Sequence, residues 1–165
     1  MFTNFFKSFG VGTRNYELVA PVAGHVVPLS SVQDETFAKG LFGQGLAIQP
    51  TGNRIVAPSS GKIESIFPTG HALALHTVEG LHVLIHVGID TYESKDGCFK
   101  VNVAEGDAVR KGDVLIEFDR ETLIADGFDV TVPILICNSA EFASIKGHDG
   151  IDVDELDSFI TARAR

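Results

Sequence analysis

Apolar and polar residues alternate in short runs along most of this chain, and turn residues separate the runs. In residues 81–87 every second side chain is apolar, while His82, Leu84 and His86 occupy the positions between. Successive side chains of a strand point to opposite faces, so the apolar set is expected to face the core and both histidines to point away from it. Short strand-like runs of this kind, separated by turn residues, recur across the chain. They predict an all-β fold, an antiparallel β-sandwich or barrel-like domain with a few short helices.

A second apolar stretch precedes this run, and a glycine-containing turn at 77–80 separates the two. This pattern predicts a β-hairpin. At its open end His71 and His86 would be cross-strand neighbours, while His76 and His82 would lie near the turn. Histidine serves as nucleophile, proton carrier or metal ligand near neutral pH, so the hairpin is the candidate functional element.

Few segments have helical patterns. One helical turn is expected within 31–40, where Ser31 or Asp34 would cap it. A short helix is expected within 119–127, with Asp119 as its cap.

The chain divides into an N-terminal segment, 1–15, and a single β domain, 16–165. The N-terminal segment is either flexible or packed on the domain, or it is an amphipathic segment with weak membrane contact. From about residue 139 the strand pattern fades, and 139–147 and 152–163 each fit a helix. The apolar stripe of the N-terminal segment would consist of Phe2, Phe5, Phe6 and Phe9.

Composition narrows the class of protein. The net charge of −9 disfavours nucleic acid as a partner and favours basic proteins. No run approaches the roughly 20 apolar residues of a membrane helix, and the first ten residues lack a secretory signal, which together indicate a soluble cytoplasmic protein. Cys98 and Cys137 are expected to be reduced thiols in the core.

Two local features bear on the sandwich. Residues 20–26 and 57–63 share the form Ala-Pro-x-x-Gly-x followed by a β-branched residue, which predicts two similar hairpin starts in one sandwich. Pro133 interrupts a β-prone run and predicts an edge strand or a bulge there.

The histidine pair at the open end allows three interpretations. His71 and His86 fit ordinary surface residues, a zinc site with Asp90 as third ligand, or covalent catalysis by a histidine nucleophile. Nothing in the sequence closes a four-ligand structural zinc site. Gly88 beside His86 would allow another backbone to approach closely, which favours the catalytic interpretation.

Matching motifs run in order from residue 20 to 138. They include Pro-Thr-Gly-Asn at 50–53, Thr-Gly-His at 69–71 and His-Val-Gly-Ile-Asp-Thr at 86–91. In these motifs the chain resembles the IIA component of the glucose family of the bacterial phosphoenolpyruvate-dependent sugar phosphotransferase system. The resemblance implies a β-sandwich with two histidines on a shallow face, acting as a protein-histidine phosphotransferase that requires no cofactor.

The resemblance also implies residue roles. His86 would accept a phosphoryl group from the phosphocarrier protein HPr and pass it to a cysteine of the IIB domain of a sugar permease. His71 would assist, oriented by a hydrogen bond from Thr69. Leu84 stands where the family commonly has an aromatic residue. The partner-binding surface would comprise Asp34, Phe37, Phe67, Leu84 and Asp90.

Other interpretations share parts of this evidence. A non-catalytic, regulatory IIA-like module would share every motif, and a regulatory zinc ion would bridge His71 and His86 with a carboxylate from a partner. A lipoyl-type or biotinyl-type carrier, suggested by 105–115, needs a lysine at an exposed hairpin tip, and none is evident. A zinc hydrolase would need a ligand set such as His-Glu-x-x-His, which this sequence lacks.

Overall fold

A computed structural model describes residues 14–165, and strands account for most of the regular structure in that range. The predictions for the first thirteen residues lie outside it. The short helices are Glu35–Ala38 and Arg120–Ala125. The strands are β1 (Asn15–Val19), β2 (Gly24–Pro28), β3 (Gln44–Pro50), β4 (Arg54–Val56), β5 (Gly61–Ile66), β6 (Ala72–Thr77), β7 (His82–His86), β8 (Phe99–Val101), β9 (Ala108–Val109), β10 (Val114–Phe118), β11 (Val132–Ile136), β12 (Phe142–Gly147), β13 (Asp152–Val153) and β14 (Ser158–Ala164).

The strands form three sheets, and neighbouring strands in each sheet pair antiparallel. The large sheet has the order β13-β2-β3-β11-β7-β6-β5-β9, and two three-stranded sheets have the orders β1-β14-β12 and β4-β10-β8. Leu18, Ile85 and Ile116, one from each sheet, belong to the same fully buried cluster. The predicted all-β sandwich is therefore confirmed, with its core between the large sheet and the two small ones.

A smaller apolar cluster covers the outer face of the large sheet. It contains Phe37 of the helix together with Ala47, Leu84 and Leu135, three strand residues whose neighbours in sequence point the other way into the main core. This second cluster anchors the helix Glu35–Ala38 on the same face as the histidines.

The two Ala-Pro-x-x-Gly motifs connect layers of the sandwich. One leads from β1 to β2 and the other from β4 to β5, each time from a small sheet to the large one. The motifs also contact each other, since Val56 N–H donates to the Pro21 carbonyl at 2.8 Å and Val19 N–H to the Pro58 carbonyl at 3.0 Å. The prediction of two similar hairpin starts in one sandwich is confirmed, because the strand after each motif pairs antiparallel with the next strand, β2 with β3 and β5 with β6. Each motif also marks a crossover between sheets.

The C-terminal segments predicted as helices are strands β12 and β14, which pair with each other while β14 also pairs with β1. The turn before β14, Asp154–Asp157, repeats the turns Ala104–Asp107 and Arg110–Asp113. In each turn the closing aspartate side chain accepts the backbone N–H three residues earlier at 2.8 Å. Leu156 (φ 74°) occupies the left-handed position that glycine holds in the other two turns, which concealed the turn signal in the sequence.

Three smaller predictions were also wrong. Pro133 lies in β11, an inner strand of the large sheet between β3 and β7. Because β11 pairs with β7 only from Ile134 onward, Pro133 has a strand partner only on the β3 side. Asn15, assigned to the N-terminal segment, begins β1. Cys98 is buried as predicted, whereas Cys137 is exposed because the chain leaves the sheet directly after β11.

Within residues 14–165, no helix combines the length and apolar character needed to cross a bilayer.

Candidate active site

The hairpin of β6 and β7 places its histidines on the outer face of the large sheet. His86 lies opposite Ala72, and the carbonyl of His71, just before β6, accepts the Val87 N–H at 2.7 Å. The apolar residues that alternate with His82 and His86 are fully buried, as the pattern predicted. The residues in that buried set are Leu81, Val83, Ile85 and Val87.

The imidazole rings of His71 and His86 are neighbours. Their centroids lie 4.8 Å apart and their planes are nearly perpendicular, at 82°. Phe37 packs 5.0 Å from the His86 ring, and Phe67 packs edge-on 5.6 Å from the His71 ring. Apolar side chains therefore flank the pair on both sides and limit its contact with water.

The local backbone determines which nitrogen of His86 is available. Nδ1 lies 2.7 Å from the Gly88 carbonyl oxygen, which can only accept, so Nδ1–H donates and Nε2 retains its lone pair. Burial lowers the pKa of His86, although the Gly88 carbonyl and the carboxylates of Asp34 and Asp90 partly oppose this effect. The ring is thus neutral at pH 7, with a free Nε2 able to act as a nucleophile.

His71 is held more deeply, with only 5% of the residue exposed. The Thr69 hydroxyl is hydrogen-bonded to His71 Nδ1. Burial, followed by repulsion from the His86 ring when that ring is protonated, lowers the pKa of His71 to about 4. This ring is also neutral at pH 7, and its Nε2 is left for a group bound at the site.

The Gly-Ile-Asp-Thr segment after His86 has a physical reason for its residue types. Gly88 has a φ of +80°, and a Cβ there would lie 2.4 Å from Thr91 Cγ2. The buried Thr91 hydroxyl donates to the Val87 carbonyl, and Asp90 adopts a left-handed φ of 59°. The turn therefore needs glycine at 88 and a hydroxyl at 91 to present the carbonyl that orients His86.

Asp34 has a structural role beside its charge. Its Oδ1 accepts the backbone N–H of Thr36 at 2.9 Å and of Phe37 at 3.4 Å, which caps the helix Glu35–Ala38. The prediction of a cap at Ser31 or Asp34 is thus resolved in favour of Asp34. The capped helix holds Phe37 against His86.

The site opens into a shallow depression of about 630 Å³. Phe42 and Tyr92 are 48% and 52% exposed there, whereas Phe37 and Leu84 are almost buried. Sequence reasoning missed Phe42, Tyr92 and Cys137, although Tyr92 directly follows the Gly-Ile-Asp-Thr motif. The lining residues are Asp34, Thr36, Phe37, Phe42, Ser65, Phe67, His71, Ala74, Leu84, His86, Asp90, Tyr92 and Cys137.

Comparison with known proteins identifies relatives of this chain. The family model described as phosphoenolpyruvate-dependent sugar phosphotransferase system, EIIA 1, matches residues 16–142. A PTS system beta-glucoside-specific EIIBCA component from Dickeya chrysanthemi is 45% identical over 133 residues, which cover 81% of this chain and 21% of that protein. A PTS system glucose-specific EIIA component from Borreliella burgdorferi is 40% identical over 145 residues, which cover 88% of this chain and 75% of that protein.

The fold has a solved counterpart. The structure of glucose permease IIA from Mycoplasma capricolum matches with a TM-score of 0.81 and 29% sequence identity, over 90% of this chain and 96% of that one. The chain spans about a fifth of the length of the EIIBCA relatives. Because the family match covers most of the residues and reaches across the histidine hairpin, this chain belongs to the EIIA 1 family of the phosphoenolpyruvate-dependent sugar phosphotransferase system, as a glucose-type IIA component.

Proposed function

We propose that His86 is the phosphoryl carrier of this component and that it is charged by the phosphocarrier protein HPr. The observation that carries the proposal is the neutral His86 ring, whose Nδ1–H is engaged by the Gly88 carbonyl. Its Nε2 attacks the phosphorus of phospho-HPr, forming a new N–P bond as the N–P bond to the donor histidine breaks. Positioning and charge stabilisation are the main requirements for such a transfer.

His71 would stabilise the transferred group. With the Thr69 hydroxyl donating to Nδ1, the neutral His71 ring carries its proton on Nε2. That Nε2–H can donate to a phosphoryl oxygen held between two rings whose centroids are 4.8 Å apart. The Thr69 hydrogen bond sets the tautomer and so makes His71 a donor.

The onward acceptor is a cysteine thiolate of a IIB domain. Its sulfur attacks the phosphorus, an S–P bond forms while the N–P bond to His86 breaks, and His86 returns to its neutral state. The EIIBCA names of several relatives support a IIB partner for this chain. The partly exposed aromatic side chains of Phe42, Phe67 and Tyr92 offer an apolar docking surface beside the histidines.

The test uses phosphoenolpyruvate, the general phosphotransferase enzyme and HPr. His86→Ala should take up no acid-labile phosphate, while His82→Ala, changed on the same face of β7, should be labelled like the wild type. His71→Ala should still be labelled but should pass phosphate to a IIB domain roughly 100-fold more slowly, the loss typical of removing one stabilising donor. Acid-labile label on His86→Ala refutes the carrier assignment, and normal onward transfer by His71→Ala refutes the role of His71.

Two further proposals concern a metal ion at the same site and the cellular compartment of the protein. His71 and His86 would hold a zinc ion, and a carboxylate from a regulatory partner would complete the ligands. For this His71 would take its other tautomer, in which Nδ1–H donates to the Thr69 hydroxyl oxygen and Nε2 is free. The proposed compartment is the cytoplasm, which the free thiols of Cys98 and Cys137 support. The zinc proposal is tested by measuring association with a candidate target protein with and without zinc. Association should require zinc and should be abolished in His71→Ala.

A further inference from the structure

A second group of potential ligands lies at the turn end of the same hairpin. His76 and His82 are cross-strand partners, and their rings stack with centroids 4.2 Å apart and planes 19° from parallel. His82 Nδ1 lies 3.3 Å from Oε1 of Glu64. One ligand atom from each of the three residues lies within 4.8 Å of the other two.

The sheet itself brings these three side chains together. The register of β5 against β6 shifts between Ile63 and Ser65, so the extra residue, Glu64, is exposed on the outer face beside the histidines. Because the bulge and the cross-strand pairing are backbone features, the grouping does not depend on a flexible loop.

We propose that Glu64, His76 and His82 form a binding site for a divalent transition metal of the zinc class. Two imidazoles and a carboxylate are typical zinc ligands, and water would take the fourth position. Ligand atoms of a tetrahedral zinc site lie about 3.4 Å apart, given bonds of about 2.0–2.1 Å. The separation between His82 and Glu64 already meets that requirement, and His76 needs only to turn its exposed ring out of the stack.

This site is distinct from the phosphoryl-transfer pair. His82 and His86 are four positions apart on an extended strand, a distance of about 13 Å, too far for both to ligate one ion. The paired side chains of Ala74 and Leu84 lie between them on the same face. The inference therefore stands independently of the proposed role of His86.

Nearby charges both oppose and favour the binding of a metal cation at this site. Lys62, opposite His76, places a cation on the same face, but its exposed side chain can turn into solvent. Cys137 is not one of the three residues whose ligand atoms converge here within 4.8 Å, so it is not expected to ligate the metal. The overall charge of −9 favours the approach of a cation.

The test is calorimetric titration of the full chain with Zn²⁺ at pH 7.5, with circular dichroism to verify folding. The wild type should bind zinc, and His76→Gln, His82→Gln and Glu64→Gln should each lose one equivalent or bind it at least tenfold more weakly. His25→Gln is the matched control, because His25 also lies near a carboxylate, with Nδ1 2.7 Å from Asp152 Oδ1. It should bind like the wild type.

Two more variants complete the experiment. His86→Gln and Cys137→Ser should each retain the equivalent that His82→Gln loses, and Co²⁺ bound in its place should give no thiolate charge-transfer band. The proposal is overturned if the wild type takes up no zinc, or if His76→Gln and His82→Gln bind like the wild type. Loss of the equivalent in His86→Gln, or a cobalt–thiolate band that disappears in Cys137→Ser, overturns it as well.

Discussion

Replacing Gly88 by alanine would place a Cβ on the residue whose carbonyl orients His86. With φ at +80°, the left-handed conformation alone costs an alanine about 1–2 kcal/mol. The new Cβ would also lie 2.4 Å from Thr91 Cγ2 and 3.0 Å from the Asp129 carbonyl oxygen. Thr91 cannot move away without breaking its buried hydrogen bond to the Val87 carbonyl, which adds about 1–3 kcal/mol. The expected loss of stability is therefore about 2–5 kcal/mol.

Gly106→Ala is the matched control for this change. Gly106 has a similar φ of +90°, but no atom lies within 4 Å of the position that its Cβ would occupy. Only the conformational cost of about 1–2 kcal/mol should therefore appear. The difference between the two variants isolates the contacts with Thr91 and Asp129.

Urea unfolding followed by far-ultraviolet circular dichroism measures both variants, since the chain contains no tryptophan. Gly88→Ala should also slow phosphoryl uptake, because a displaced carbonyl no longer holds the His86 ring, whereas Gly106→Ala should not. Equal losses of stability in the two variants, or uptake by Gly88→Ala at the wild-type rate, would refute this account of the turn.

Two further predictions concern the charges of the site. Folding lowers the pKa of His71 from 6.5 to about 4, so the unfolded chain binds a proton in that window and stability falls as pH drops through it. Between pH 7.5 and 5 the resulting loss of folding free energy is about 2 kcal/mol. In urea unfolding, the stability of His71→Asn should therefore depend less on pH than that of the wild type, and identical pH profiles for the two proteins would contradict the prediction. Asp34→Ala should lose about 1 kcal/mol with the cap, while Asp34→Asn should keep most of it. Both substitutions should lower the pKa of His86, because the Asp34 carboxylate raises it. NMR titration of the His86 ring measures this change, and an unchanged His86 titration in the two variants would contradict the prediction.

The sequence-based predictions succeeded where a feature depends on neighbouring residues alone and failed where it depends on contacts with distant segments. The alternation in 81–87 correctly assigned the buried face of β7, because side-chain direction in a strand depends on local geometry alone. Strand β14 was missed because Leu156, in the turn before it, takes a left-handed backbone conformation that glycine normally signals in a sequence. Pro133 misled because its place in the large sheet depends on where pairing with β7 begins, which no local pattern encodes.

By itself the sequence determined the all-β class, the direction of His86 and the motifs that indicate its family. Only the tertiary structure decided how the site is assembled, since contacts between distant segments depend on how the layers pack. The helix that carries Phe37 reaches His86 through an apolar cluster on the outer face of the sheet, and β11 delivers Cys137 to the same depression. The sequence likewise placed His76 and His82 near the turn of the hairpin, whereas only the bulge in β5 brought a carboxylate beside them.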